Sequence, residues 1–408
     1  MDFTIKHYLG FALLASVLLS SCKKEEENPF AHPARVEEQD SGLPHLCINT
    51  PGNAAITSKE EWMAGATISM ISADGQETDL GTANIRGRGN STWTYPKKPY
   101  ALKLDKEASL LGMTAEKRWD LLANYIDRTD MRNAVSFEVA HKTKSLDWTP
   151  HGGFVELYMN GVWQGNYYLC EHIKIDKSRL NLQKGGYLLE LDTTFDEEFK
   201  FRSELLDLPV QIKDWKGGDM TDERISEIMS EFNEIEALLV SEERETNGWQ
   251  DLVDMDSFID WWFVYELVQC GEPMHPKSCY MYRDKDGKLK AGPVWDFDWG
   301  TFRSGGEVTK FRIKNALFYK YMFSDPAFVN RVKEKWAESK SSFLSVTGFI
   351  DKTAKNIKVS VDKDKTKWAM TTTVNKDEEQ SFDDAVATMK NNYLKHLEWM
   401  DSQISALK

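Results

Sequence analysis

The chain has 408 residues and a net charge of −14, long enough for one large domain or two ordinary ones around a full hydrophobic core. The charge argues against a nucleic-acid partner, because gripping a phosphate backbone takes clustered Lys and Arg, and no block of basic residues occurs. Trp and Tyr, at fourteen each, suit aromatic-lined grooves as well as a large core.

At the N-terminus Lys6 precedes an apolar run from Tyr8 to Leu19 that is too short to span a bilayer as a permanent helix. Leu19-Ser20-Ser21-Cys22 closes it with small residues, as a secretory signal does. This end resembles a bacterial lipobox, which implies a lipidated Cys22. Lys23-Lys24-Glu25-Glu26-Glu27 is similar to the acidic export tag of surface lipoproteins of Bacteroidota; a cleaved signal with a chance Cys is the alternative. The expectation is an exported lipoprotein of the outer membrane, displayed at the cell surface and touching the membrane only through its lipid. Residues 1–22 are then the signal, 23–42 a flexible acidic tether, 43–80 an N-terminal β segment and 81–408 the main domain.

Leu46 to Ile48 and Ala66 to Ile71 read as short strands. Gly81 to Ile85 leads into the glycine-rich loop Arg86-Gly87-Arg88-Gly89-Asn90-Ser91-Thr92-Trp93, and a strand follows from Tyr100 to Leu104. Tyr100, Leu102 and Leu104 share one face, leaving Lys103 on the other. A glycine loop followed by a strand lysine is how kinases cover and pair nucleotide phosphates, although a plain hairpin with a solvated Lys103 fits the same residues. Met131, Val135 and Val139 recur at helical spacing behind a cap at Thr129 or Asp130. Phe154 to Met159, the turn Asn160-Gly161 and Val162 onward form a hairpin. Its returning strand aims Glu171 along the face of Tyr167 and Leu169, where a carboxylate takes a lysine or metal partner or reaches solvent at the strand end.

Strands are predicted for Gly185 to Asp192 and Leu208 to Lys213, then helices for Ile225 to Leu239 and Met255 to Val268, the second dense in aromatics and crossing the core. An irregular loop, Gln269 to Cys279, precedes a hairpin of Tyr280 to Arg283 and Lys288 to Ala291. Next comes Pro293-Val294-Trp295-Asp296-Phe297-Asp298-Trp299-Gly300. In an extended strand Asp296 and Asp298 share a side and could hold one cation; ordinary solvated acids are the other reading. Residues 301–320 carry no clear pattern, Asp325-Pro326 caps a helix to about Lys340, and helices over 344–362 and 380–407 follow. Cys47, Cys170, Cys270 and Cys279 match no zinc spacing, and either some pair or all are buried thiols.

The order of acid-bearing loop, hairpin and Asp-Phe-Asp parallels the kinase order of catalytic loop, hairpin and Asp-Phe-Gly. Together with Arg86 to Trp93, Lys98 to Leu104, Trp119 to Asp127 with Met131-Arg132-Asn133, Val155 to Gly161 with Gly165-Asn166-Tyr167, and Glu171, it resembles the spore coat protein H (CotH) kinases over roughly residues 80 to 400. The resemblance implies an α+β fold like an atypical protein kinase, β-rich first and mostly helical after, with the site between. It also implies ATP, Mg²⁺ and transfer of the γ-phosphoryl group to a Ser or Thr hydroxyl of a protein. On that pattern Lys103 holds the phosphates with Arg86 and Arg88 in the glycine loop, and Glu171 orients Lys103 or assists the metal. Asp296 and Asp298 take the metal. Glu272 and Ser278 stand where the family has its Asp base and an Asn, as base and metal contact. The alternative function is a weak or silent member used for adhesion or for binding a surface ligand; a carboxylate-pair glycoside hydrolase ranks last, since it needs two acids across a cleft.

Overall fold

The computed structural model describes residues 41–372 and 374–408; the signal, Cys22 and all but the last two residues of the tether lie outside them. Seven strands close a barrel: β1 (His45–Asn49), β2 (Met63–Ile71), β3 (Glu77–Gly87), β4 (Tyr100–Ala108), β5 (Glu116–Leu122), β6 (Gly152–Met159) and β7 (Val162–Glu171), in the order β1-β2-β3-β4-β5-β7-β6. β6 pairs parallel with β1, His45 facing Glu156, so the 43–80 stretch shares one barrel with the strands from 81 to 171. Alternation fills the interior: Ile48, Ile68, Ile85, Leu102, Trp119, Leu157 and Leu169 are all fully buried. The Asn160-Gly161 turn has positive φ at both residues, as a tight I′ hairpin requires.

A second sheet runs β12-β11-β8-β10-β9, formed by β8 (Tyr187–Leu191), β9 (Lys200–Arg202), β10 (Pro209–Trp215), β11 (Cys279–Arg283) and β12 (Leu289–Ala291). The short edge strand β9 has no sequence signal. Helices are α1 (Ser91–Thr94), α2 (Arg132–His141), α3 (Asp222–Val240), α4 (Trp249–Leu252), α5 (Met255–Leu267), α6 (Tyr319–Met322), α7 (Pro326–Leu344), α8 (Val346–Lys367) and α9 (Phe382–Ser405). The protein is thus β-rich first and helical last. α5 crosses the core as its composition predicts, with every residue from Ser257 to Leu267 buried. Asp325 caps α7 by accepting the Ala327 N–H at 2.8 Å.

The cap of α2 differs from expectation. Neither Thr129 nor Asp130 is the N-cap; Met131 occupies that position, and Asp127, five residues upstream, accepts the Arg132 N–H at 2.8 Å. The four cysteines 47, 170, 270 and 279 are buried free thiols. α8 docks on β7 through Asp364, which accepts the Asn166 N–H at 2.9 Å and pairs with buried Lys97 at 2.7 Å. A Cβ on Gly165 would lie 2.0 Å from an Asp364 oxygen, so only glycine permits that approach.

Candidate active site

A cavity of about 610 Å³ opens where the barrel meets the second sheet, a volume suited to a small-molecule ligand. The barrel contributes Arg88 to Thr92, Tyr95 and the segment 122–126; the second sheet contributes Asp192 and Ser278 at its strand ends; the intervening loops contribute Glu272, Lys277, Trp295, Asp296 and 298–300.

Asp296 and Asp298 both line it, but not through an extended strand. Asp296 has φ +65°, in the left-handed region, so the backbone turns there. Phe297 holds the arrangement: it is fully buried, packs 5.0 Å from Tyr265 and 6.1 Å from Phe137, and its N–H donates to Asn133 Oδ1 at 2.9 Å. With Phe297 pinned in the core, its two acidic neighbours face the cavity. Asn375 secures the far end, donating to the Asp298 carbonyl and accepting from Gly300 N–H, both at 2.8 Å.

Asp192 completes an acidic cluster. It directly follows β8, accepts the Thr194 N–H at 2.7 Å and receives the Ser278 N–H at 3.2 Å. Burial pushes the Glu272 carboxyl up to about 7, with repulsion from Asp296 adding to it and Lys277 opposing. Burial likewise raises Asp296, against the pull of Arg88, and raises Asp298 well above the usual carboxylate range, reinforced by Asp296 and Asp127. For Arg88, burial works against the charge, but Asp120 and Asp296 outweigh it. Its guanidinium stacks 5.3 Å from the Trp295 ring and pairs with Asp120 at 3.3 Å.

The donor set is hard oxygen. Among the described residues no group of three or more His, Cys, Asp or Glu converges at metal-binding geometry. Oxygen donors of this kind suit hard divalent cations.

Of the residues expected from sequence, the structure brings together Arg88, Glu272, Ser278, Asp296 and Asp298. It does not bring in Lys103, Arg86 or Glu171. Lys103 is exposed and absent from the cavity lining: alternation does set it opposite Leu102, yet in a closed barrel that places it on the outer wall. Arg86 stacks 4.6 Å from Trp62, away from the cavity. Glu171 pairs with an arginine instead of a lysine, buried Arg179 at 2.7 Å, and accepts from the His151 N–H at 3.0 Å. Sequence reasoning missed Asp192 and Lys277. The one available signal for Asp192 was an acid at the end of a strand that is apolar apart from Glu190.

A search among curated proteins returns no match. A family model described as CotH kinase protein matches residues 85–400, most of the chain, and the chain therefore belongs to the CotH kinase family.

Proposed function

We propose that this protein is an ATP- and Mg²⁺-dependent phosphotransferase that acts on Ser or Thr hydroxyls of a protein. The observation that carries this reading is the convergence of Asp192, Glu272, Asp296 and Asp298 with Arg88 and Lys277 on one partly apolar cavity. Burial raises the carboxyls of Glu272, Asp296 and Asp298, and repulsion among the clustered acids adds to it, so the charged forms gain from a bound cation. Bound Mg²⁺ would neutralise charge on the phosphates. Asp296 and Asp298 are the residues to hold it, while Arg88 and Lys277 meet phosphate oxygens in place of Lys103. Leu122, Ala123, Ile126 and Tyr125, which line the cavity, offer the adenine an apolar bed. Glu272 accepts the proton of the acceptor hydroxyl; a carboxyl raised to about 7 suits a base working near neutrality. Positioning and charge neutralisation supply most of the rate in such transfers.

The β-rich then helical order with a cavity between supports an atypical kinase-like fold. The lipobox-like Cys22 supports an exported lipoprotein of the outer membrane, checked by palmitate labelling that Cys22→Ala abolishes. For catalysis, purified protein with ATP and Mg²⁺ should transfer labelled phosphate to itself or to a protein acceptor, and Asp296→Ala should stop it. No transfer, and no nucleotide-induced thermal shift, would refute the reading. One observation favours a second reading, a surface protein that binds a ligand without catalysis: Trp299 lines the cavity while 43% exposed. Ligand binding indifferent to Asp296→Ala would select it.

A further inference from the structure

The segment after Asp298 puts two further arginines, Arg303 and Arg312, on the cavity wall. They flank one turn: Gly306 donates its N–H to the Arg303 carbonyl at 2.9 Å, and a Cβ on Gly306 would meet the Arg312 guanidinium at 3.6 Å. Neither charge is closed into an ion pair, although the buried Glu266 carboxyl feels that of Arg312. Among the described residues neither guanidinium pairs with a carboxylate; Arg312 reaches only the Glu307 carbonyl at 3.5 Å, and its Nε is buried without a partner. In a chain of net charge −14, two adjacent cations outside any ion pair on a cavity wall call for an anionic ligand.

The wall they occupy decides whose anion it is. The segment is tied to the end of α5: Phe302 N–H donates to the Val268 carbonyl at 3.0 Å, Gln269 donates to the Glu307 carbonyl at 2.9 Å, and Arg312 N–H donates to Glu266 at 2.7 Å. Gln269 begins the loop that carries Glu272. Arg303 and Arg312 therefore lie on the side of the base, whereas Arg88 approaches from the barrel. In-line transfer places the acceptor beside the base and the nucleotide opposite. Resting on the phosphotransferase reading, we propose that Arg303 and Arg312 form an acceptor-side anion subsite, which selects hydroxyl-bearing protein segments flanked by carboxylate side chains.

The test is binding, so that it stands apart from turnover. Fluorescent peptides of matched length, with Ala at the acceptor position and acidic, neutral or basic flanks, are titrated into the full chain. The acidic peptide should bind about tenfold or more tighter than the neutral one, and the preference should shrink as salt rises. Arg303→Gln with Arg312→Gln should erase the preference while the thermal shift given by Mg²⁺ and ATP persists; Arg303→Lys with Arg312→Lys should keep most of it and serves as the folding control. Binding indifferent to flank charge overturns the subsite. So does a Gln double variant that loses the ATP shift while keeping the acidic peptide, because the arginines then serve the nucleotide. Acid-selective binding without phosphate transfer would retain the subsite and refute the catalytic reading instead.

Discussion

Replacing Asp127 by Asn should destabilise the protein out of proportion to one atom. Asp127 is fully buried and accepts from Thr129 N–H at 2.8 Å, Thr129 Oγ1 at 2.7 Å, Arg132 N–H at 2.8 Å and the Arg132 guanidinium. Arg132 is 2% exposed and has a second carboxylate, Asp377, at 2.7 Å. Losing one partner of a buried pair costs about 3–5 kcal/mol. Asp377 offsets part of this, whereas turning an amide N–H toward existing donors adds to it. The expected loss is about 3 kcal/mol, read as a lower urea midpoint at unchanged slope. Charge counting also sets an order. Arg132→Met strands two buried acids where Asp127→Asn leaves one satisfied pair, so the Arg132 variant must be the less stable. A loss below about 1 kcal/mol for Asp127→Asn, or the reverse order of the two variants, would refute the reasoning.

Exposed Lys103 and cavity-lining Arg88 separate two views of the phosphate site. Lys103→Ala should leave ATP binding and any phosphotransfer within about twofold, while Arg88→Ala, which also leaves buried Asp120 with His172 as its remaining partner, should cut phosphotransfer about a hundredfold or more; equal effects on nucleotide titration and rate would contradict this placement. A pH effect on stability should come from His396, fully buried, with Nδ1 bonded to the Val308 carbonyl at 2.7 Å and Nε2 unpartnered. Burial holds it down at about 4. The unfolded chain takes up this proton near pH 6.5 and the folded one does not until about 4, so stability is full above 6.5 and falls as pH drops through that window. His396→Phe should weaken the pH 7 to 5 decline in unfolding free energy by about 2 kcal/mol; an unchanged decline would exclude His396 as its source.

How much of the fold and site was legible depends on the range of each signal. Period-two alternation identified the strands and put Lys103 opposite Leu102, but nothing local says that the sheet closes, and closure decides whether that face meets a ligand or solvent. The glycine loop looked like a phosphate cover. In the structure a Cβ on Gly87 would strike the Trp93 ring at 2.4 Å, so this glycine serves packing. Asp296 and Asp298 were found for a partly wrong reason: they share a side because Phe297 is anchored, not because the backbone is extended. Asp192 and Lys277 join them only through the pairing of β8 with β11, which sets Leu191 opposite Cys279. Such long-range register leaves no local trace.

Beneath Asp298 lies a frame drawn from three distant stretches. Asn133 holds Phe297, Arg132 donates to the Thr301 carbonyl at 2.9 Å, and Asn375 ties Asp298 and Gly300 to the Ile126 carbonyl. These bonds go to backbone groups, so they fix position without neutralising a side-chain charge. The one cation in the frame, Arg132, is already matched by Asp127 and Asp377, and Asp127 raises Asp298 further. The frame that supports the acids therefore brings them no compensating charge. A frame meant only for stability would do better with an apolar residue at 298, since buried like charges cost energy unless something binds them. Rigid backbone anchoring combined with buried acids that Arg88 and Lys277 only partly offset is the arrangement expected where a cation arrives with its substrate, and it supports the proposal that Asp296 and Asp298 form the metal end of the site.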